Sequence, residues 1–236
     1  SVTYIYDIFS KKLTEVAPFT VDLLLPSGAE NLNYVLYTDE SPYKMQREWL
    51  DRLPFDIYSV NVHTGAKRLI GRSYRTAPKW SVNGKWAVMY DPIAQVWNKF
   101  DGATGKVVNI SDAIGYPMFM ESYDKPAPAP AYGIAGWTAD GNNVFLYDAY
   151  DWWKIDLTGE RQPECLTKGY GRKHGKSIRK MTSNIDKDVF QKDEKVIVSL
   201  WDKDTMDEGV YQLDMKGRLR KLMEGNYVYT IHRFSD

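Results

Sequence analysis

Ile57-Tyr58-Ser59-Val60-Asn61-Val62-His63-Thr64-Gly65-Ala66-Lys67 runs alternating apolar residues into an asparagine, a turn glycine and a lysine. The same order returns as Val96-Trp97-Asn98-Lys99-Phe100-Asp101-Gly102-Ala103-Thr104-Gly105-Lys106 and as Trp152-Trp153-Lys154-Ile155-Asp156-Leu157-Thr158-Gly159-Glu160-Arg161. It closes the chain's repeats as Val210-Tyr211-Gln212-Leu213-Asp214-Met215-Lys216-Gly217-Arg218, and a weaker copy opens the chain at Tyr4-Ile5-Tyr6-Asp7-Ile8-Phe9-Ser10-Lys11-Lys12-Leu13. Glycine supplies the positive φ of a tight hairpin, and the Asp or Asn side chain bonds the turn's own backbone. Each copy therefore reads as an outer hairpin.

A second element precedes two of these copies: Trp80-Ser81-Val82-Asn83-Gly84-Lys85 and Trp137-Thr138-Ala139-Asp140-Gly141-Asn142. Asn-Gly and Asp-Gly are strong two-residue hairpin signals, and an alternating strand follows each. The two elements together give four strands per repeat, and the clear copies are spaced by 40 to 58 residues. That is the period of a β-propeller blade. A β-sandwich is the runner-up, but it gives no reason for the same turns to return in the same order. The expectation is an all-β chain of four to five blades near 1–20, 21–72, 73–115, 131–168 and 185–236, either a small closed ring or a section of a larger one. Helical periodicity is confined to Tyr43–Leu53, where Pro54 would stop it, and Lys125-Pro126-Ala127-Pro128-Ala129-Pro130-Ala131 reads as a stiff polyproline-type connection.

Composition narrows the function classes. The 236 residues are 43% hydrophobic and 26% charged, with 17 Tyr and 8 Trp, the make-up of an ordinary folded chain. Lys plus Arg, at 31, equals Asp plus Glu, at 31, so no bulk charge draws the chain to nucleic acid or an anionic membrane. The longest apolar runs, Val21–Pro26 and Val144–Tyr147, fall far short of the roughly 20 residues that span a bilayer. The opening Ser1-Val2-Thr3-Tyr4 is already strand-like and suggests an excised piece or a mature product. The single Cys165 has no partner for a disulfide and no company for a metal site.

Several tracts resemble one family: Pro54-Phe55-Asp56-Ile57-Tyr58, Trp80–Lys85, Tyr132-Gly133-Ile134-Ala135-Gly136-Trp137-Thr138, Tyr147-Asp148-Ala149-Tyr150-Asp151-Trp152-Trp153, and Leu166–Arg172. They are similar to the propeller of prolyl oligopeptidase family serine peptidases, above all bacterial members related to dipeptidyl peptidase IV and the acylaminoacyl peptidases. The likeness covers most of residues 54 to 236. The Tyr-Gly-Ile-Ala-Gly-Trp tract with Tyr-Asp-x-Tyr-Asp behind it is its most particular part. The resemblance implies a seven- or eight-bladed cap over a C-terminal α/β-hydrolase domain with a Ser-Asp-His triad. It implies peptide substrates as partners of the parent enzyme, no cofactor, and export to the periplasm or beyond. The hydrolase domain is not in these residues, so this chain is expected to cleave nothing. The alternative is a stand-alone propeller that binds a protein or peptide, and a propeller enzyme with a carboxylate site in a central channel has no motif behind it.

The search for chemistry gives no catalytic, cofactor-binding or metal residue. A nucleophile elbow needs Gly-x-Ser-x-Gly, and neither Gly71-Arg72-Ser73-Tyr74-Arg75 nor Gly175-Lys176-Ser177-Ile178-Arg179 fits. His63 falls in a hairpin turn, His174 in a basic loop and His232 in the terminal strand, none beside a serine or cysteine motif. Gly169-Tyr170-Gly171-Arg172-Lys173-His174-Gly175-Lys176-Ser177 fails the phosphate-loop spacing and is not followed by a helix. Its cations, with Lys168, Arg179 and Lys180, read as a solvated connection. Asp202–Gly209 lacks the sixth-position glycine and twelfth-position glutamate of a calcium loop and reads as a polar hairpin. Asp148 and Asp151 are given turn and edge roles, and alternation puts one of Trp152 and Trp153 in the core and the other outward. In related dipeptidyl peptidases a propeller glutamate pair binds the substrate amino terminus. Arg47-Glu48, in the Asp39–Trp49 insertion, matches it poorly and is not assigned that role.

Overall fold

A computed structural model describes residues 2–8, 11–18, 21, 23–27, 33–50, 52–181, 188–225 and 229. Residues Ser1–Asn109 and Ile110–Asp236 form two compact units. In the first, β1 (Thr3–Asp7) and β2 (Lys12–Ala17) make a two-stranded sheet. A second sheet follows, of β3 (Leu23–Leu25), β4 (Tyr34–Asp39), β5 (Phe55–Asn61) and β6 (Lys67–Tyr74). A third holds β7 (Lys79–Trp80), β8 (Trp86–Asp91), β9 (Val96–Asp101) and β10 (Val107–Asn109). The second unit has a fourth sheet of β11 (Ile134–Thr138), β12 (Asn143–Tyr147), β13 (Trp152–Asp156) and β14 (Glu164–Cys165), then the short helix α1 (Tyr170–His174). Its fifth sheet takes β15 (Lys176–Lys180), passes over β16 (Val189–Phe190), and continues with β17 (Lys195–Asp202), β18 (Glu208–Asp214) and β19 (Leu219–Gly225).

The second and third sheets are antiparallel with their strands in chain order. This meander, with one sheet finished before the next begins, is the build of propeller blades and not of a sandwich, where the chain crosses between two sheets. The fold is all-β, made of β-propeller blades. Side-chain alternation explains how they stack. Along β4, Val35 and Tyr37 join Val60 and Val62 of the second sheet and Val16 of β2 in one cluster. Leu36, pointing the other way, joins Phe55, Ile57 and Tyr74 against Ala87, Met89 and Phe100 of the third sheet. The second sheet is thus covered on both faces, each buried aliphatic or aromatic side chain contributing about 1.5–3 kcal/mol. In the second unit Ala135, Phe145 and Trp152 pack against Ile178, Val198, Leu200 and Leu213 of the fifth sheet.

The repeated turns bond alike. Asn61 Oδ1 accepts from the amides of His63 and Thr64, both at 3.0 Å, and Asp101 Oδ1 from those of Ala103 at 2.8 Å and Thr104 at 3.1 Å. In the inner turns Ser81 Oγ receives the Trp86 amide at 3.2 Å, and Thr138 Oγ1 receives the Asn143 amide at 3.0 Å.

Four expectations need correction. The periodic segment Tyr43–Leu53 forms a 3₁₀ helix over Ser41–Gln46 followed by turns. None of that helix's residues is buried, and Met45 and Trp49 stand exposed, so no apolar face is packed to sustain an α-helix. The Lys125–Ala131 spacer does not run straight between blades. It is one limb of a hairpin-like loop in which the Met120 amide donates to Pro130 O at 2.8 Å and the Tyr132 amide to Met118 O at 3.2 Å. The last blade starts at Lys176 and not near 185, because β15 is its first strand and β16 instead pairs in parallel with β11 of the fourth sheet. Finally, the opening Tyr4–Leu13 copy is the β1–β2 hairpin, with Phe9 and Ser10 outside the described residues.

Candidate functional site

The fourth sheet turns from β12 into β13 through Asp148-Ala149-Tyr150-Asp151, and both carboxylates are buried, Asp148 at 0% exposure and Asp151 at 1%. Buried carboxylates persist only where donors replace water. Asp148 Oδ1 accepts from the amides of Tyr150 at 2.7 Å and Asp151 at 2.6 Å, closing the turn. Its Oδ2 accepts from Trp153 Nε1 at 3.0 Å and from Arg172 Nη2 at 2.9 Å. Asp151 Oδ1 takes the Thr167 hydroxyl at 2.6 Å and the Gly171 amide at 2.9 Å, and its Oδ2 takes the Arg172 amide at 3.0 Å. Thr167 in turn accepts the Trp152 amide at 3.2 Å. A second cation closes the back of the turn: Arg179 donates to the carbonyls of Asp148 at 2.7 Å, Ala149 at 3.2 Å and Ile178 at 2.8 Å.

The order of the chain makes this possible. Gly169 and Gly175, both in the left-handed region, start and stop α1 abruptly and bring the amides of Gly171 and Arg172 over Asp151. A Cβ on Gly171 would lie 2.6 Å from the Tyr150 carbonyl oxygen, so glycine is what lets the two segments touch. β15 then carries Arg179 back past Tyr147 and Tyr132, whose ring centroids lie 4.7 and 5.4 Å from its Cζ. Burial pushes the Arg179 guanidinium below its ordinary value, though an arginine stays charged across the working pH range. For Arg172 burial works the same way but the hydrogen bond and charge of Asp148 outweigh it, and the net shift is upward.

Beside the cluster lies a cavity of about 430 Å³ walled by Tyr116, Trp153, Cys165, Gly169, Arg172 and Lys173, with Asp151 at its base. Tyr116 stacks on the Arg172 guanidinium, 3.9 Å from Cζ to the ring centroid, and its ring lies 6.0 Å from that of Trp153. Cys165 is half-buried, and burial raises its thiol above the usual value while the Gly169 amide donates to Sγ at 3.2 Å. It is a neutral wall group and not an activated thiolate. Tyr147 is pushed up to about 12, chiefly by burial.

The structure thus joins residues that the sequence treats apart. Asp148 and Asp151 are not edge carboxylates, and Arg172 and Arg179 do not belong to a solvated connection; a helix does form at Tyr170–His174. Trp152 and Trp153 are both buried, the first in the core between the fourth and fifth sheets, the second on the opposite face beside Tyr116. Elsewhere the tested residues stay separate. His63 Nε2 lies 3.2 Å from Asn33 Oδ1, the His174 ring stacks 4.3 Å from Tyr170, and His232 lies outside the described residues. Asp202 Oδ1 accepts the amides of Asp204 at 2.9 Å and Thr205 at 3.2 Å, a hairpin turn. Among the described residues no group of three or more His, Cys, Asp or Glu is placed to hold a metal, and no helix is long and apolar enough to cross a membrane.

No protein-family model and no curated protein matches the sequence. Among solved structures, the chain is similar to the β-propeller domain of the Trilobed protease from Pyrococcus furiosus, at 13% identity over 86% of this chain and 57% of that one, TM-score 0.42. It is similar to dipeptidyl peptidase 4 of Porphyromonas gingivalis at 13% identity over 94% of this chain and 36% of that one, TM-score 0.47. TolB from Acinetobacter baumannii matches at 13% identity over 95% of this chain and 48% of that one, TM-score 0.37. The chain spans less than two thirds of each of these proteins, and at TM-scores below 0.5 the likenesses assign it neither activity nor partner.

Proposed function

We propose that the chain is the non-catalytic propeller portion of a prolyl oligopeptidase-like serine peptidase, shaping or gating access to a hydrolase site that other residues of the parent supply. The observation that carries this reading is the saturation of the cluster at Asp148 and Asp151. Every carboxylate oxygen there is engaged, three of the four by charged, indole or hydroxyl side chains or by the helix amides. General acid or base work needs a carboxyl within reach of substrate with a lone pair or proton to exchange. This pair instead fastens the β12–β13 turn to α1 and β15. The tracts that carry the family resemblance, Tyr132–Thr138 and Tyr147–Trp153, are the ones that build the fourth sheet and this fastening.

Purified chain is expected to release no product from aminoacyl-proline or acylaminoacyl reporter substrates. Turnover that a serine-reactive phosphonate blocks would sink the reading. The parent gene past Asp236 is the complementary check: Gly-x-Ser-x-Gly followed by Asp and then His in hydrolase order supports the cap, and a stop codon there removes it. In that case the cavity beside Arg172 favours the second reading, a propeller that binds a peptide or protein.

A further inference from the structure

Arg172 carries five N–H donors, and its side chain, 31% exposed, makes one printed hydrogen bond, to Asp148. Lys173, exposed next to it, has no ion pair among the described residues. Facing them in the cavity there is no acceptor left to use, since Asp151 is engaged by three donors and Asp148 by four. The other walls are the rings of Tyr116, 45% exposed, and Trp153, with the neutral Cys165 thiol. The result is an apolar, aromatic cavity with a surplus of cationic donors at one side. Its volume, about 430 Å³, falls in the range of small-molecule and peptide side-chain pockets, about 300–1,000 Å³.

From this we infer that the cavity beside α1 is a binding site for an apolar carboxylate, the last residue of a peptide chain: its side chain lies against Tyr116 and Trp153, and its terminal carboxylate meets Arg172 and Lys173. A planar carboxylate accepts paired N–H donors from a guanidinium. Arg172 is pre-set for this, because Tyr116 holds one face of the guanidinium and Asp148 fixes its rotation. A purely anionic ligand would leave the aromatic walls wet, and a purely apolar one would strand the donors. The site is distinct from any hydrolytic centre, and the inference stands whether or not the chain caps a peptidase.

The test is isothermal titration of the purified chain with N-acetyl-glycyl-phenylalanine as free acid, the same peptide as C-terminal amide, 3-phenylpropionate and inorganic phosphate. The free acid is expected to bind and the amide to bind roughly tenfold more weakly or worse. Phenylpropionate binding as well as the peptide acid would support the same chemistry while pointing to a free carboxylate as its source. Equal binding of acid and amide, competition by phosphate alone, or no binding of any probe at about 10 mM would overturn the inference. Arg172→Gln should abolish the acid-over-amide preference. Because Arg172 also holds Asp148, Lys173→Gln and Tyr116→Leu are made beside it, and each is expected to weaken the acid roughly three- to tenfold with an unchanged melting curve. Unaltered affinity in both would place any binding elsewhere.

Discussion

Tyr90-Asp91 in the third sheet and Tyr147-Asp148 in the fourth end the second strand of their blades, and both aspartates bond the turn that follows. Asp91 Oδ1 accepts the amides of Ile93 and Ala94, each at 2.9 Å, and the residue is half-buried with Ile93 exposed beside it. Asp148 does the same for Tyr150 and Asp151 but has no exposure, and its other oxygen is taken by Trp153 and Arg172. A shared turn residue therefore does different work according to what the chain brings over it. Above Asp91 no arginine bonds its carboxylate among the described residues. Over Asp148 the chain returns twice, through α1 and through β15, each time with an arginine.

Charge burial sets the scale of the difference. Removing one partner of a buried pair leaves the other uncompensated, which costs about 3–5 kcal/mol, whereas loss of an exposed turn bond costs about 1 kcal/mol. Asp148→Ala is accordingly expected to lower the urea midpoint by an amount equivalent to about 3–5 kcal/mol. The mutant might be too unstable to compare is not the expectation to test; the contrast is, and a loss no greater than that of Asp91→Ala would show that the two turns are equivalent. Next in size is Arg179→Met, which strips three carbonyls of a charged donor and is expected to cost about 3 kcal/mol by the same measurement. Thr167→Val removes the hydroxyl that links the Trp152 amide to Asp151 and should cost about 1–3 kcal/mol. Asp91→Ala, at about 1 kcal/mol, is the smallest of the four and anchors the scale.

Acid sharpens the comparison further, since the exposed turns carry titrating groups of their own. Asp140 is held below the usual carboxylate range by the Thr138 hydroxyl and the Asn142 amide, and Asp202 by the amides of Thr205 and Asp204. Glu224, bonded by Lys176 and Lys221, is lowered to about 2. A depressed carboxyl stabilises the folded state above its unfolded value and loses that contribution as pH falls through its folded value. Stability should therefore be flat from neutrality to about pH 5 and decline below it, as read by tryptophan fluorescence. Glu224→Gln is expected to remove part of the decline between its unfolded value of 4.5 and about 2; an unchanged acid profile would mean that these turns add nothing to pH dependence.

The blades are legible in sequence because their turns are local: Asn61, Asp101 and Ser81 bond amides two to five residues away, and spacing alone announces them. The site is not local. Arg179 meets the Asp148 carbonyl across 31 positions and Arg172 its carboxylate across 24, so the same residues read as a solvated basic stretch and a pair of turn aspartates. One signal was present. Among the lysines of residues 168 to 180, positions 172 and 179 are arginine, the cation suited to buried, stacked and multiply bonded places. The parallel strand β16 was hidden for a similar reason, being two residues long with no turn of its own.

That strand has a consequence for how the chain is made. Trp137 and Thr138 pair with Val189 and Phe190, so one edge of the fourth sheet lacks its neighbour until residue 190 has left the ribosome. During vectorial synthesis β11 to β14 emerge first, with the β11 edge open to other strands, including those of a neighbouring nascent chain. A late, long-range pairing of this kind slows completion of the sheet. It also makes the fourth blade the place where crowded synthesis is most prone to mispair.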